Sequence, residues 1–114
     1  EVFTGTPGVL CKLEDTIRRI GALKRKDKAE LLALLTDLKT EVSGLSQTHQ
    51  EQAHSIASLA EIATHEATRQ DKSPALMKHS LAGLALSVDG FEASHPRLVG
   101  VVNEVCTMLA NIGI

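Results

Sequence analysis

The segment from Gly90 to Ile114 constrains the fold more than any other part of this chain. Proline is favoured at the first position of a helix, because the N–H that it lacks would have no partner there. The sequence therefore predicts that a helix begins at Pro96, with His95 as its N-cap. Glycine suits the left-handed residue that follows many helices. Gly113 thus predicts the end of this helix, with Ile114 packing back on the last turn.

The same segment predicts a reversal of the chain. A residue that precedes proline is disfavoured in helical geometry, so any helix before His95 must end there. Ser73-Pro74 marks the start of that earlier helix, predicted over 74–93, and the final helix is predicted over 96–112. Both helices carry an apolar stripe that needs covering. We therefore expect an antiparallel helical hairpin, with Phe91 buried against the last helix.

A long apolar seam lies in the middle of the chain, with its members at helical spacing. The seam residues are Leu31, Leu35, Leu38, Val42, Leu45, Ile56, Leu59 and Ala63. A pattern that keeps its phase this long predicts a coiled-coil-like helix over 28–70, or two helices in line. Ser43, Gly44 and Ser46 weaken the segment 44–48, and Thr48 with Glu51 offers a capping box for a restart. The continuous or kinked helix is the favoured interpretation.

The length of this seam suggests an interaction surface. Forty helical residues extend about 60 Å at 1.5 Å per residue, which is more than a compact bundle of this size needs. Part of the seam is therefore expected to lack a covering partner within the same chain.

The rest of the chain completes an all-α prediction. After a loose segment over 1–8, apolar residues at helical spacing predict a helix over 9–23, with Glu14 on its polar side. Asp27 is predicted to cap the following helix. No strand pattern is present, and 43% of the 114 residues are hydrophobic, enough for a core. The predicted fold is one helical-bundle domain over 1–114.

Composition excludes some classes of function. A formal net charge of −2 argues against a general binder of polyanions. Cys11 and Cys106 lie far apart and form neither a metal motif nor a disulfide framework, which favours free thiols and a cytoplasmic location. No apolar run is long enough to span a bilayer. The first residue is Glu1 rather than methionine, so we expect a start that is trimmed, processed or incompletely covered.

Two acidic–histidine pairs are candidate metal ligands. Glu92 and His95 have the spacing that di-iron helical bundles use, and Glu61 and His65 could join them in a homodimer. A single Glu-x-x-His copy is better explained by His95 as a helix cap and Glu92 as a surface residue. Another pattern, beginning at His65, fails as a zinc-protease motif because its second histidine is replaced by Arg69.

A cluster of basic residues is the candidate for nucleic-acid or anionic-membrane contact. It comprises Arg18, Arg19, Lys24, Arg25, Lys26 and Lys28. No aromatic residues are interleaved with these cations to stack on bases. A solvated helix end followed by a charged turn is therefore the preferred explanation.

The sequence FEASHPRL, which begins at Phe91, and the terminal ANIGI resemble a bacterial domain-of-unknown-function family numbered 4404. Members of this family are small helical proteins that end in a Phe-Glu-x-x-His-Pro joint and a Gly-Ile terminus. The resemblance implies a helical fold. It implies no activity, cofactor or catalytic residue.

These observations favour a non-enzymatic protein. The sequence contains no nucleophile elbow, phosphate-binding loop or dinucleotide fingerprint, so we expect no catalytic residue, no cofactor and no small-molecule substrate. The leading hypothesis is a helical interaction protein, acting in an accessory or assembly role. Its partner is another protein or further copies of itself, contacted through the seam. The alternatives are a metal-binding bundle and, more weakly, nucleic-acid or membrane binding through 18–28.

Overall fold

The computed structural model describes Glu14 and residues 25–113 of the chain. These residues form four α-helices and contain no strand. The helices are α1 (Arg25–Leu45), α2 (Gln50–Thr68), α3 (Pro74–Ser87) and α4 (Pro96–Gly113). The all-α bundle expected from the sequence is confirmed. The predicted loose segment 1–8 lies outside the described residues, as does all of the predicted helix 9–23 except Glu14.

The helices run antiparallel along the chain. Met77 near the start of α3 packs against Gly113 at the end of α4, and the Cys106 thiol donates to the Leu81 carbonyl oxygen at 3.8 Å. Arg97 at the start of α4 forms an ion pair with Glu41 late in α1, at 3.4 Å. Two helices, α2 and α4, also lie against each other across the centre, whereas no Cα atoms of α1 and α3 come within 8 Å of each other in the described part of the chain. The predicted C-terminal helical hairpin is therefore present as α3 and α4.

Each helix contributes one apolar face to a common core. From α1, the core takes leucines and a valine at spacings of three and four residues. Alanines dominate the buried face of α2. Small side chains let helices approach closely, and a Cβ on Gly83 of α3 would lie 3.3 Å from Leu59 Cδ2 of α2. The fully buried alanines of α2 are Ala53, Ala57, Ala60, Ala63 and Ala67.

The favoured prediction of a single helix over 28–70 is wrong, because the structure has two helices there, α1 and α2. The chain turns between α1 and α2, where the backbone N–H groups of Thr48 and His49 both donate to the Leu45 carbonyl. The Ser46 hydroxyl donates to the Ser43 carbonyl at 2.8 Å. The break falls where the sequence is weakest, around the predicted 44–48. With a longest dimension of 37 Å, the fold has no room for the 60 Å rod.

Because α2 folds back, the seam is internal. Seven of its eight residues are completely buried, and Leu59 is half-buried against the same core. The expectation that part of the seam is left uncovered within the chain is therefore wrong. An apolar stripe on a helix indicates that the stripe packs against another surface, but it does not show whether that surface belongs to the same chain.

Two helix starts can be compared with their predicted caps. Ser73 caps α3 as predicted: its hydroxyl accepts from the Leu76 N–H at 3.4 Å, and Pro74 is the first helical residue. Asp27 does not cap α1, which already includes Arg25, so Asp27 lies in the first turn. The predicted Thr48 capping box is also absent, because α2 begins at Gln50 without a side-chain cap.

Two helix ends differ from the prediction. Helix α3 ends at Ser87 rather than at 93, because Gly90 takes a left-handed backbone with φ of 93° and the chain turns before Phe91. Gly113 was predicted to be left-handed, but it belongs to α4, and Gly90 is the only described glycine with a positive φ. A Cβ on Gly113 would instead collide with Met77. Ile114 lies outside the described residues.

Candidate functional site

The side of α3 that points away from the bundle is unusually apolar. Eight of its 14 residues are exposed, and Lys78 is the only one of them with a full charge. Leu86 is 69% exposed and Leu76 is 50% exposed. We call these residues the outer face of α3: Pro74, Ala75, Leu76, Lys78, His79, Ala82, Ala85 and Leu86.

The outer face exists because apolar residues occur on every side of α3. Leu84 is fully buried in the core, Leu81 packs partly against it, and Gly83 faces α2. The core and α2 cover these sides of α3, and the alanines and leucines of the outer face are left exposed to solvent. A helix that is hydrophobic all round is normally buried on all sides.

The other helices present a different surface to solvent. Exposed positions of α4 include Arg97, Asn103 and Glu104, all polar or charged. On α2, Ile62 is 47% exposed but stands beside the exposed Glu61. Isolated exposed apolar residues are ordinary on protein surfaces, whereas an exposed helix face that is mostly apolar is not. The outer face of α3 is therefore the candidate site.

The members of this face also have a regular spacing. Ala75, His79, Ala82 and Leu86 follow one another at intervals of four, three and four residues. This is the a/d spacing with which one helix packs along another in a coiled coil. Sequence reasoning did not identify this exposed stripe, because spacing alone does not say which side of α3 faces solvent.

The joint between α3 and α4 gathers three rings. The Phe91 ring lies 5.5 Å from that of His49 and 5.5 Å from that of His95, and the two imidazoles are 6.1 Å apart. Phe91 is half-buried against the core rather than fully buried. The His95 carbonyl accepts from the Val99 N–H, as an N-cap residue does. Sequence reasoning missed the contribution of His49, because it comes from the distant α1–α2 turn.

The candidate metal ligands are not brought together. The Glu92 carboxylate accepts from the Gly90 N–H at 3.0 Å, and the His95 ring contacts the Ser94 hydroxyl at 2.9 Å. Glu61 and His65 are exposed on α2. Among the described residues, no group of three or more histidine, cysteine, aspartate or glutamate side chains could hold a metal ion.

The basic cluster is only partly described. Arg25 and Lys26 are exposed at the start of α1 and Lys28 is half-buried, while the other three cations lie outside the described residues. Across residues 25–113, no helix has the length and apolar character needed to cross a membrane.

The burial of two polar groups, and the partial burial of one thiol, escaped sequence reasoning. Glu14 was placed on a polar helix side, yet it is buried, and its carboxylate accepts from the Thr36 hydroxyl at 2.8 Å and from Lys39 Nζ at 3.3 Å. The Thr64 hydroxyl is buried without a hydrogen-bond partner. Burial raises the pKa of the Cys106 thiol, which disfavours the reactive thiolate.

The family model described as "Domain of unknown function (DUF4404)" matches residues 8–114. The chain belongs to this family. No curated protein and no solved structure matches the chain.

The residues matched by the family model include both surface features described above. The match runs through all four described helices, so the ring cluster at the joint and the outer face of α3 are both parts of the DUF4404 domain. The resemblance inferred from the Phe-Glu-x-x-His-Pro joint is therefore confirmed at the level of the family.

Proposed function

We propose that this DUF4404 protein is a non-enzymatic helical protein that acts through protein–protein contact, in an accessory or assembly role. The observation that carries the proposal is the outer face of α3, where Leu76 and Leu86 are exposed together with three alanines. The seam cannot serve as the contact surface, because the chain buries it itself.

Contact with a partner would remove the side chains of Leu76 and Leu86 from water, which is favourable. Fully burying one leucine side chain is worth about 1.5–3 kcal/mol, so two leucines supply a useful share of a binding free energy. The alanines between them let a partner helix approach closely. Their spacing also suits a helix-on-helix contact, in which anchors recur at three and four residues.

A photo-reactive amino acid at position 86 tests this proposal in the cells that make the protein. We expect irradiation to give covalent protein adducts, because Leu86 is the most exposed large apolar residue of the described chain. The matched control carries the same group at position 103, where exposed Asn103 lies on the polar side of α4. Mass spectrometry of the adducts identifies the partner. Equal yields at the two positions, or no adduct at position 86, would contradict the proposal.

A further inference from the structure

We propose that the outer face of α3 binds the same face of a second copy of this chain, with the two α3 helices antiparallel. The inference rests on the proposed function and names its partner. It follows from the order of small, large and charged residues along α3 and in the turn directly after it, where Asp89 lies, together with their exposure.

Residue size makes the face suitable for close helix packing. Small and larger residues alternate along the stripe, as Ala75, His79, Ala82 and Leu86. Alanines seven residues apart leave room for larger side chains of a facing helix, and side chains that interdigitate in this way form the knobs and holes of a coiled coil. Two identical faces can meet only around a two-fold axis if both are to be covered equally.

Charge selects the antiparallel arrangement. Lys78 and Asp89 are both exposed, and neither forms an ion pair with another described residue. They lie eleven residues apart (89 − 78), so their midpoint falls midway between Ala82 and Ala85. An antiparallel pair centred there sets Lys78 of each copy opposite Asp89 of the other. A parallel pair would set Lys78 against Lys78, and like charges that face each other are destabilising.

The centre of this arrangement carries no charge. Ala82 of one copy would face Ala85 of the other, so the backbones can approach where the helices cross. The net charge of the whole chain is only −2, so two copies repel each other weakly at long range. Both Lys78–Asp89 pairs lie at the edges of the contact, where charges set register and orientation more than affinity.

Charge reversal on the full chain tests the register. Sedimentation velocity at low ionic strength should show a reversible dimer for the unchanged protein. Lys78→Asp alone, or Asp89→Lys alone, should raise the dimer dissociation constant on the order of tenfold, since two attractive pairs become repulsive. The double variant should recover the original value. An equimolar mixture of the two single variants should also recover it, because each mixed dimer restores both attractive pairs.

Two controls separate register from general charge effects. Lys72→Asp repeats the charge change of Lys78→Asp at a position off the outer face, and Glu104→Lys repeats the charge change of Asp89→Lys on α4. Both residues are exposed, and both variants should dimerise like the unchanged protein. Far-UV circular dichroism verifies that each variant is folded. A strictly monomeric protein at high concentration, or single variants that are not rescued by mixing, would overturn the inference.

The two proposals can fail separately. Adducts at position 86 that contain a different protein, together with a monomeric purified chain, would overturn the second-copy inference alone. Absence of any adduct at position 86 would overturn both.

Discussion

Thr64 is a residue whose burial works against stability. Its side-chain oxygen is the only buried polar side-chain atom of the described chain that lacks a hydrogen-bond partner. A buried polar group without a partner costs about 1–3 kcal/mol. Valine has nearly the same shape and a similar helix propensity, so it fits the same site without this penalty.

We therefore predict that Thr64→Val raises the free energy of unfolding by about 1 kcal/mol, measured by denaturant titration at a fixed protein concentration. Thr107→Val is the control, because that hydroxyl is exposed and donates to the Asn103 carbonyl. Its effect should stay within about 0.5 kcal/mol. A loss of stability in Thr64→Val would show that the hydroxyl has a partner in solution.

Phe91 is the central ring of the joint. Truncating a fully buried phenylalanine to alanine costs about 3–5 kcal/mol, and Phe91 is half-buried. We predict that Phe91→Ala lowers the free energy of unfolding by about 2 kcal/mol. Phe91→Leu should cost about half as much, because it keeps much of the apolar contact.

A double-mutant cycle isolates the ring contact itself. Combining Phe91→Leu with His95→Ala should reveal a coupling free energy of about 0.5–1.5 kcal/mol, the usual contribution of an edge-to-face pair. A cost of Phe91→Ala below about 0.5 kcal/mol would mean that the ring contributes no more than an ordinary surface residue.

Single-residue roles were predictable where the cause is local. Ser73 caps α3 because its hydroxyl reaches an N–H three residues ahead, and His95 occupies the cap position because Pro96 follows it. The ring contact between His49 and Phe91 was not predictable, since these residues lie 42 positions apart (91 − 49) and meet only after both turns have formed. The burial of Glu14 against α1 is equally non-local.

At the scale of elements, glycine positions show how α3 ends. Gly90 holds a left-handed backbone that costs an L-residue about 1–2 kcal/mol. Gly100 lies inside α4, and a Cβ there would meet nothing within 4 Å. The same substitution should therefore have opposite effects at the two positions.

We predict that Gly90→Ala lowers the thermal stability, whereas Gly100→Ala raises it. The expected changes in the free energy of unfolding are a loss of about 1–2 kcal/mol and a gain of up to about 1 kcal/mol. Calorimetry of the two variants beside the unchanged protein measures both. Destabilisation by Gly100→Ala would mean that the exposed side of α4 is covered in solution.

Element boundaries were less predictable than element existence. Regular apolar spacing predicted helix in all four described segments, but it joined α1 and α2 into one helix, because the seam returns in phase at Ile56 after its last residue before the turn, Leu45. Two helices that fold back on each other each bury an apolar stripe, and the spacing within each stripe is the same as in one continuous helix. The turn was therefore visible only as weak helix formers between Ser43 and Ser46. The early end of α3 depended on Gly90, whose left-handed geometry competes with an apolar pattern that continues to Phe91.

At the scale of the whole molecule, packing decided which apolar faces are available. Folding α2 back onto the bundle buried the predicted seam and left the outer face of α3 exposed. Both faces have coiled-coil-like spacing, so the sequence alone could not rank them. The contact surface proposed here is consequently a different one from the surface that the pattern first indicated.

The sequence by itself determined the all-α class, the helical identity of the four described segments and the DUF4404 family. Capping and helical periodicity act over a few residues, so they can be read without the fold. The tertiary structure alone decided that α1 and α2 form two antiparallel helices, that Phe91 sits between two histidines, and that α3 has one uncovered side. Each of these depends on contacts between residues distant in the chain, because burial is a property of neighbours in space.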